Sequence, residues 1–167
     1  RIMDINAIVY TSATGFTARY AALLAERTRL PAYELAQAGT ALSKRAPVLY
    51  LGWLCAGGIK GLKKAAARFD VKAVCAVGMS LPDPAYTAKL ALPAALKQVP
   101  LFYLRGGYAP DRLTGVYRPM MALMTKAVTR TPPKDAGERA MQDAFLPGGD
   151  WVSEQALTPV LERLAER

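Results

Sequence analysis

The part of the chain whose residue types best suit ligand binding is Ser12-Ala13-Thr14-Gly15-Phe16-Thr17, which lies between an apolar run and a helical pattern. Unpaired N–H groups and the positive end of the helix dipole favour an anion at a helix N-terminus. Gly15 lets the backbone come close to a ligand. The segment therefore predicts a site for one phosphate, formed by the hydroxyls of Ser12, Thr14 and Thr17 and the amides of residues 13–17.

An ordinary helix cap is the alternative interpretation of this segment. Serine and threonine are common N-cap residues, and each contributes about 1 kcal/mol to helix stability. A cap needs one hydroxyl, whereas residues 11–17 contain four. The segment contains no lysine, unlike the nucleotide loop G-x-x-x-x-G-K-[ST]. The pattern favours a single phosphate over both a plain cap and a nucleoside triphosphate.

Several kinds of catalytic chemistry are excluded by composition. Histidine is absent, so the chain has no Ser-His-Asp or Cys-His nucleophilic group, no histidine-ligated zinc and no imidazole proton shuttle. The two cysteines, Cys55 and Cys75, form no CxxC pair and no ligand cluster. No catalytic side chain and no metal site is predicted.

Strands, turns and helices alternate along all 167 residues and position the phosphate segment. This alternation and the chain length predict a single domain over residues 1–167. Apolar runs predict strands at residues 5–10, 32–35, 48–51, 73–77 and 101–104. Amphipathic patterns predict helices at residues 17–29, 59–69, 86–98, 118–129, 136–145 and 154–166, with Pro93 expected to kink or divide the third. This is typical of a doubly wound α/β fold with a five-stranded parallel sheet.

The phosphate segment resembles the first loop of the flavodoxin family, whose pattern [ST]-x-T-G-x-T binds the FMN phosphate. The runs 48–58, 73–82 and 101–107 resemble later strands and loops of the family, and the last is similar to the flavodoxin-domain proteins related to menaquinone-dependent protoporphyrinogen oxidase. The resemblance covers nearly the whole chain, although only the phosphate loop is a specific motif. It implies a flavodoxin-like strand order, 2-1-3-4-5, and FMN as the cofactor.

The resemblance also implies two loops around the flavin ring, one after each of the two central strands. The expected ring contacts are Trp53, Leu54, Cys55, Ala56 and Gly57 in the first loop, and Gly78, Met79, Ser80 and the following Tyr86 in the second. Packing in the core is the alternative for Trp53, and half-buried packing is the alternative for Tyr86.

Methionines at helical spacing mark the helix predicted at residues 118–129. Met120, Met121 and Met124 predict core packing, with contact to a quinone or porphyrin as the alternative.

Basic residues are concentrated in the middle of the chain, and the formal net charge is +9. Residues 44–134 hold 15 basic and 3 acidic residues, whereas residues 135–167 hold 3 basic and 7 acidic ones. A cationic surface attracts anionic partners, and Arg105, Arg112 and Arg118 are candidates for drawing in an anionic substrate. Peripheral contact with an anionic surface is compatible with this charge. Specific nucleic-acid binding is not expected, because the basic residues are scattered and no aromatic RNA-binding signature accompanies them.

Two classes of function follow from these features. The first is an FMN-binding flavodoxin-like redox protein, which either exchanges electrons with a redox partner protein or acts as a small flavin-dependent oxidoreductase of the quinone or protoporphyrinogen type. The second is a cofactor-free module that binds a protein or another phosphorylated ligand. No apolar run reaches the roughly 20 residues of a membrane span, and no signal-peptide layout is present, which predicts a cytoplasmic protein.

Overall fold

The structure, a computed structural model, describes residues 4–145 and 148–166. Its central element is a mostly parallel sheet with strands in the order β2-β1-β3-β5-β6, while β4 pairs antiparallel with β3. The bounds are β1 (Ala7–Thr11), β2 (Ala32–Glu34), β3 (Pro47–Cys55), β4 (Gly58–Ile59), β5 (Asp70–Gly78) and β6 (Leu101–Arg105). A separate antiparallel pair consists of β7 (Gly107–Tyr108) and β8 (Gly149–Asp150).

The helices are α1 (Phe16–Thr28), α2 (Leu35–Ala41), α3 (Leu62–Arg68), α4 (Pro84–Ala88), α5 (Tyr117–Thr129), α6 (Ala136–Phe145) and α7 (Thr158–Ala165). α1 and α7 pack on one face of the parallel sheet and α2 and α3 on the other, whereas α5 packs on α6. Short 3-10 helices lie at Ala94–Leu96, Pro110–Arg112 and Glu154–Leu157. Among the residues described, no helix has the combination of length and apolarity needed to cross a bilayer.

Two hydrophobic clusters account for this layering. Successive side chains of a strand point to opposite faces, so Ile8 packs with α1 and α7 whereas its neighbour Val9 packs with α2 and α3. The continuous apolar sequences of β1, β3 and β5 suit strands that are buried on both faces. The predicted α/β class, with a mostly parallel sheet, is confirmed.

The prediction is wrong for some local elements. The helix expected at residues 86–98 is divided before Pro93, as the missing proline N–H predicts, but its parts are only the five-residue α4 and a 3-10 turn that begins after Pro93. The strand expected at residues 48–51 runs from Pro47 to Cys55 and returns through β4. α2 was not predicted. Residues 146 and 147 lie outside the described residues, as do residues 1–3 and 167.

Candidate functional site

The predicted phosphate segment forms the turn between β1 and α1. Gly15 has a φ of 102°, a left-handed conformation that glycine adopts without strain. The amide of Gly15 donates to Ser12 Oγ at 3.1 Å, so the Ser12 hydroxyl closes the turn. The first hydrogen bond of the helix runs from the Arg19 amide to the Gly15 carbonyl at 3.0 Å. The strand, the turn and the helix therefore meet as the sequence predicted.

Hydrogen-bond donors remain unused at this helix N-terminus. The amides of Phe16, Thr17 and Ala18 precede the first intrahelical bond and have no acceptor within the helix. The side chain of Thr17 is 2% exposed, and within the part of the chain that the structure describes its hydroxyl has no hydrogen-bond partner. The Thr14 hydroxyl is likewise without a partner among the described residues. The N-terminus of α1 can therefore donate several hydrogen bonds to an anion.

Arg112 supplies a positive charge beside the turn. Its guanidinium carbon lies 5.1 Å from the centre of the Phe16 ring. Its Nη1 atom lies 3.4 Å from the point that a Cβ on Gly15 would occupy. Phe16 itself is buried and contributes its backbone amide to the turn. Arg112 was predicted to attract an anionic substrate, and the structure brings it to the phosphate segment.

A cleft of about 270 Å³ opens from the start of this turn. It is bordered by Thr11, Ser12, Ala13, Trp53, Lys60, Leu113, Thr114 and Tyr117. Ser12 and Ala13, the first residues of the turn, form a polar end of the cleft, whereas residues 14–17 and Arg112 do not border it. Two aromatic rings from distant parts of the chain border the cleft as well. Trp53 and Tyr117 meet edge to face, with their ring centres 5.1 Å apart and their planes at 81°.

Lys60 is the cation of this cleft. Its ammonium lies 5.6 Å from the centre of the Tyr117 ring, and the interaction with the Tyr117 side chain raises the pKa of Lys60 above its ordinary value. The residue therefore carries a full positive charge at neutral pH. A charged, exposed lysine next to two aromatic rings suits a ligand that is flat and either anionic or electron-rich.

A buried tyrosine fixes the backbone of Lys60. Tyr50 on β3 donates its phenol proton to the Lys60 carbonyl at 2.6 Å and accepts a hydrogen bond from Thr11 Oγ1 at 2.7 Å. Burial raises the pKa of Tyr50 to about 12, so the phenol stays protonated and keeps this donor. Gly61 follows Lys60 with a φ of 80°, and a Cβ there would overlap the Tyr50 hydroxyl. The close packing of Tyr50, Thr11 and Gly61 holds Lys60 beside the phosphate turn.

The first expected ring loop is a strand and a tight turn. Trp53, Leu54 and Cys55 belong to β3, and Ala56 and Gly57 form the hairpin turn to β4 with φ values of 50° and 79°. Positive φ at both central positions is typical of a type I′ hairpin, whose twist matches that of its strands. Trp53 borders the cleft, whereas the exposed Ala56 and Gly57 do not. A free loop at residues 53–57 was therefore the wrong expectation.

The second expected ring loop lies at the end of β5, next to the end of β3. There the Met79 carbonyl accepts a hydrogen bond from Arg105 Nε at 3.0 Å, and the Ser80 carbonyl accepts one from the Tyr103 hydroxyl at 2.7 Å. Gly78 packs against Leu54 and Tyr103. These groups join β5 to the edge strand β6, and they do not border the cleft next to the phosphate turn.

Tyr86 is 39% exposed on α4 and does not border the cleft. A second, shallower depression of about 400 Å³ lies between α4 and β6, bordered by Pro82, Asp83, Pro84, Thr87, Ala88, Leu101 and Tyr103. Of the predicted site residues, Ser12, Ala13 and Trp53 border the first cleft. The other residues of the phosphate segment and of the two expected ring loops, and Tyr86, border neither the cleft nor the depression.

Lys60 and Tyr117 are the functional candidates that sequence reasoning missed. Lys60 looked like one member of a basic cluster with Lys63 and Lys64. Tyr117 is 64 positions from Trp53, and no local pattern links two residues at that separation. The signal that was present is the pair of glycines Gly57 and Gly58, which predicts a hairpin and so a return of the chain towards β3.

Comparisons of the chain with models of protein families, with curated proteins and with solved structures give no match. The flavodoxin resemblance therefore rests on the residues of the phosphate turn and on the order of the elements.

Proposed function

We propose that the protein binds FMN and is a flavodoxin-like redox protein, either an electron carrier or a small FMN-dependent oxidoreductase. The observation that carries the proposal is the N-terminus of α1, where three backbone amides and the Thr17 hydroxyl have no hydrogen-bond partner among the described residues. A phosphate monoester bound there would accept these hydrogen bonds and gain from the helix dipole. Arg112 would add an opposite charge.

The residues at the other end of the cleft suit an aromatic ring system. Trp53 offers a half-buried indole, Leu113 offers an apolar side chain, and Lys60 offers a charge. Ligand sites of this kind combine apolar walls with a few polar groups that fix orientation. The start of the turn and the aromatic pair border one cleft, and the unused donors of α1 follow that start directly along the chain. A ligand with a phosphate on the turn and a flat ring in the cleft suits this arrangement.

The sheet topology also supports the proposal. Counted over the five parallel strands alone, the order β2-β1-β3-β5-β6 agrees with the order that the flavodoxin resemblance implies. In open α/β sheets, ligands bind at the carboxyl ends of the strands where the strand order reverses, which here is between β1 and β3. The phosphate turn follows β1, and Trp53 lies near the end of β3.

Bound FMN would supply the electron chemistry, and the chain would set its affinity and potential. Arg112 and the α1 N-terminus would bind the phosphate, and Trp53 would exclude water from one side of the ring. Oxidation of an added anionic organic substrate with a quinone as the acceptor would identify an enzyme. Electron exchange only with another redox protein would identify a carrier. We propose the cytoplasm as the location, and the two free thiols, Cys55 and Cys75, fit a reducing compartment.

Titration with FMN and with riboflavin tests this function. The wild-type chain should bind FMN with quenching of flavin fluorescence, and it should bind riboflavin, which lacks the phosphate, at least about tenfold more weakly. The double variant Thr14→Val, Thr17→Val should lose about 100-fold or more in FMN affinity, since each of the two hydrogen bonds to a charged group contributes about 1.5 to 3 kcal/mol. Its affinity for riboflavin should not change.

Thr40→Val is the matched control, because the Thr40 hydroxyl bonds the Gln37 carbonyl on the exposed surface of α2. This variant should bind FMN as the wild-type chain does. Equal affinity of the wild-type chain for FMN and riboflavin would overturn the phosphate assignment. Absence of binding for both flavins would overturn the function.

A cofactor-free module that binds a smaller phosphorylated ligand is the second candidate. The cleft measures about 270 Å³, below the roughly 300 to 1,000 Å³ of most small-molecule sites, and the Trp53–Tyr117 contact narrows it. A ligand smaller than FMN would fit without any movement of Tyr117. Heat-denaturation scans with inorganic phosphate, a sugar phosphate and FMN separate the two candidates, because the tighter ligand raises the unfolding temperature more at equal concentration.

A further inference from the structure

α5 is amphipathic, but its apolar residues are not in the core. None of its residues is buried; it packs mainly on α6, and its first residue, Tyr117, contacts Trp53. The exposed fractions are 69% for Val116, 71% for Leu123 and 44% for Met124. Core packing of Met120, Met121 and Met124 is therefore a prediction that the structure contradicts. Monomer surfaces seldom leave a row of large apolar side chains in water unless the row contacts something.

Four apolar residues, three of them exposed and Met120 half-buried, form a row along one side of the helix. Val116, Met120, Leu123 and Ala127 follow one another at intervals of four, three and four positions, which places them on a single helical face. We call these four residues the α5 stripe. Eleven steps along a helix span roughly 16 Å, so the stripe extends along most of α5.

The segment that carries the stripe is basic, while the acidic Glu138 and Asp143 lie on the neighbouring helix α6. From Arg112 to Lys134 the sequence contains five basic residues and no acidic residue. Lys126 follows Leu123 by three positions and Arg130 follows Ala127 by three, so both lie beside the stripe on the exposed side of the helix. Any surface that covers the stripe also meets these cations.

We propose that α5 is a docking element for an anionic lipid bilayer, with the α5 stripe inserted at the level of the headgroups. An interfacial helix combines an apolar face with lysine or arginine beside it, and it lies in the plane of the membrane without crossing it. Lys126 and Arg130 would contact the acidic headgroups, to which juxtamembrane basic residues are attracted.

A second copy of the chain fits the α5 stripe less well. A two-fold dimer through this face would bring the same cationic segment of both copies together, which is unfavourable. An acidic protein would satisfy the charge, but a bilayer also accepts a straight apolar row without requiring a complementary groove. The inference does not depend on FMN, because it uses only the outer face of α5.

Co-sedimentation of the full chain with lipid vesicles tests the proposal. The chain should bind phosphatidylcholine vesicles that contain phosphatidylglycerol and should not bind pure phosphatidylcholine. Leu123→Gln should weaken binding by about tenfold or more, because a leucine buried in the interface becomes polar. Lys126→Gln with Arg130→Gln should weaken it by about 25-fold, roughly fivefold for each charge.

Leu81→Gln is the matched control, since Leu81 is also exposed, at 39%, but lies outside the α5 stripe. Its binding to vesicles should equal that of the wild-type chain. Because Leu123 is 71% exposed, Leu123→Gln should keep the wild-type unfolding temperature, which circular dichroism checks.

Three results would overturn the proposal. The first is no binding to vesicles that contain phosphatidylglycerol. The second is binding that Leu123→Gln leaves unchanged, which would mean general charge attraction without insertion of the α5 stripe. The third is a dimer in light scattering without lipid that Leu123→Gln dissociates, which would assign the stripe to a second copy.

Discussion

At the scale of single residues, Gly61 is the position in the candidate site that should tolerate substitution least. Its φ of 80° disfavours any residue with a side chain, and a Cβ would overlap the Tyr50 hydroxyl and lie 2.6 Å from Thr11 Oγ1. Gly61→Ala should lower the free energy of unfolding by about 2 to 5 kcal/mol, combining backbone strain with overpacking. Urea denaturation measures this change.

Gly57→Ala separates the two causes. Gly57 has a similar φ of 79°, but a Cβ there would meet no atom within 4 Å. Gly57→Ala should lower the free energy of unfolding only by the backbone strain of a positive φ, about 1 to 2 kcal/mol. Equal costs for the two variants would show that the packing around Tyr50 is looser than described.

The two cysteines should differ in reactivity towards alkylating reagents, because one thiol is fully buried and the other is not. Cys75 is fully buried in β5, and burial raises the pKa of its thiol far above the ordinary value. Cys55 is only partly buried at the end of β3. Since the thiolate is the reactive form, an alkylating reagent at pH 8 should modify Cys55 in the native chain and Cys75 only after unfolding. Mass spectrometry of the peptides measures this, and modification of Cys75 first would contradict the buried position.

At the scale of elements, α5 closes the cleft through its first residue. Tyr117 contacts Trp53 edge to face, and such contacts contribute about 0.5 to 1.5 kcal/mol. A flavin ring that enters the cleft would have to displace this contact and lose its free energy. Tyr117→Ala removes the contact beforehand, so the affinity for FMN should rise about two- to tenfold. Fluorescence titration measures it. Tyr86→Ala, on α4 outside the cleft, should leave the affinity unchanged, and a loss of affinity in Tyr117→Ala would mean that Tyr117 contacts the ligand.

The individual elements also show which parts of the fold and of the site could be predicted from the sequence. The apolar runs and the Ser12–Thr17 pattern predicted the strands and the turn, because strand burial and the needs of a helix N-terminus are local properties. The break at Pro93 is locally encoded and was predicted, whereas the β3–β4 hairpin is encoded by the Gly57-Gly58 pair and was not predicted. The meeting of Trp53, Lys60 and Tyr117 could not be predicted, since it depends on how α5 lies relative to the sheet.

At the scale of the whole molecule, the charge of +9 distinguishes this chain from an acidic electron carrier. Positive surroundings stabilise a ligand more when it gains negative charge, and they do so more strongly at low salt. The uneven distribution matters as well, since the basic residues are concentrated between positions 44 and 134, which include Lys60 and Arg112. The cleft therefore lies in the cationic part of the chain.

The last prediction follows from this field and rests on the proposed cofactor. The reduction potential of bound FMN should fall when the positive charge is removed or screened, because reduction adds negative charge to the ring. Lys60→Gln should lower the potential by roughly 10 to 40 mV at low ionic strength, and the difference should shrink in concentrated salt. Lys97→Gln removes one charge from the exposed surface outside the cleft and is the matched control. Equal shifts in the two variants would mean that net charge alone sets the potential, whereas a larger shift for Lys60→Gln would place the ammonium beside the ring.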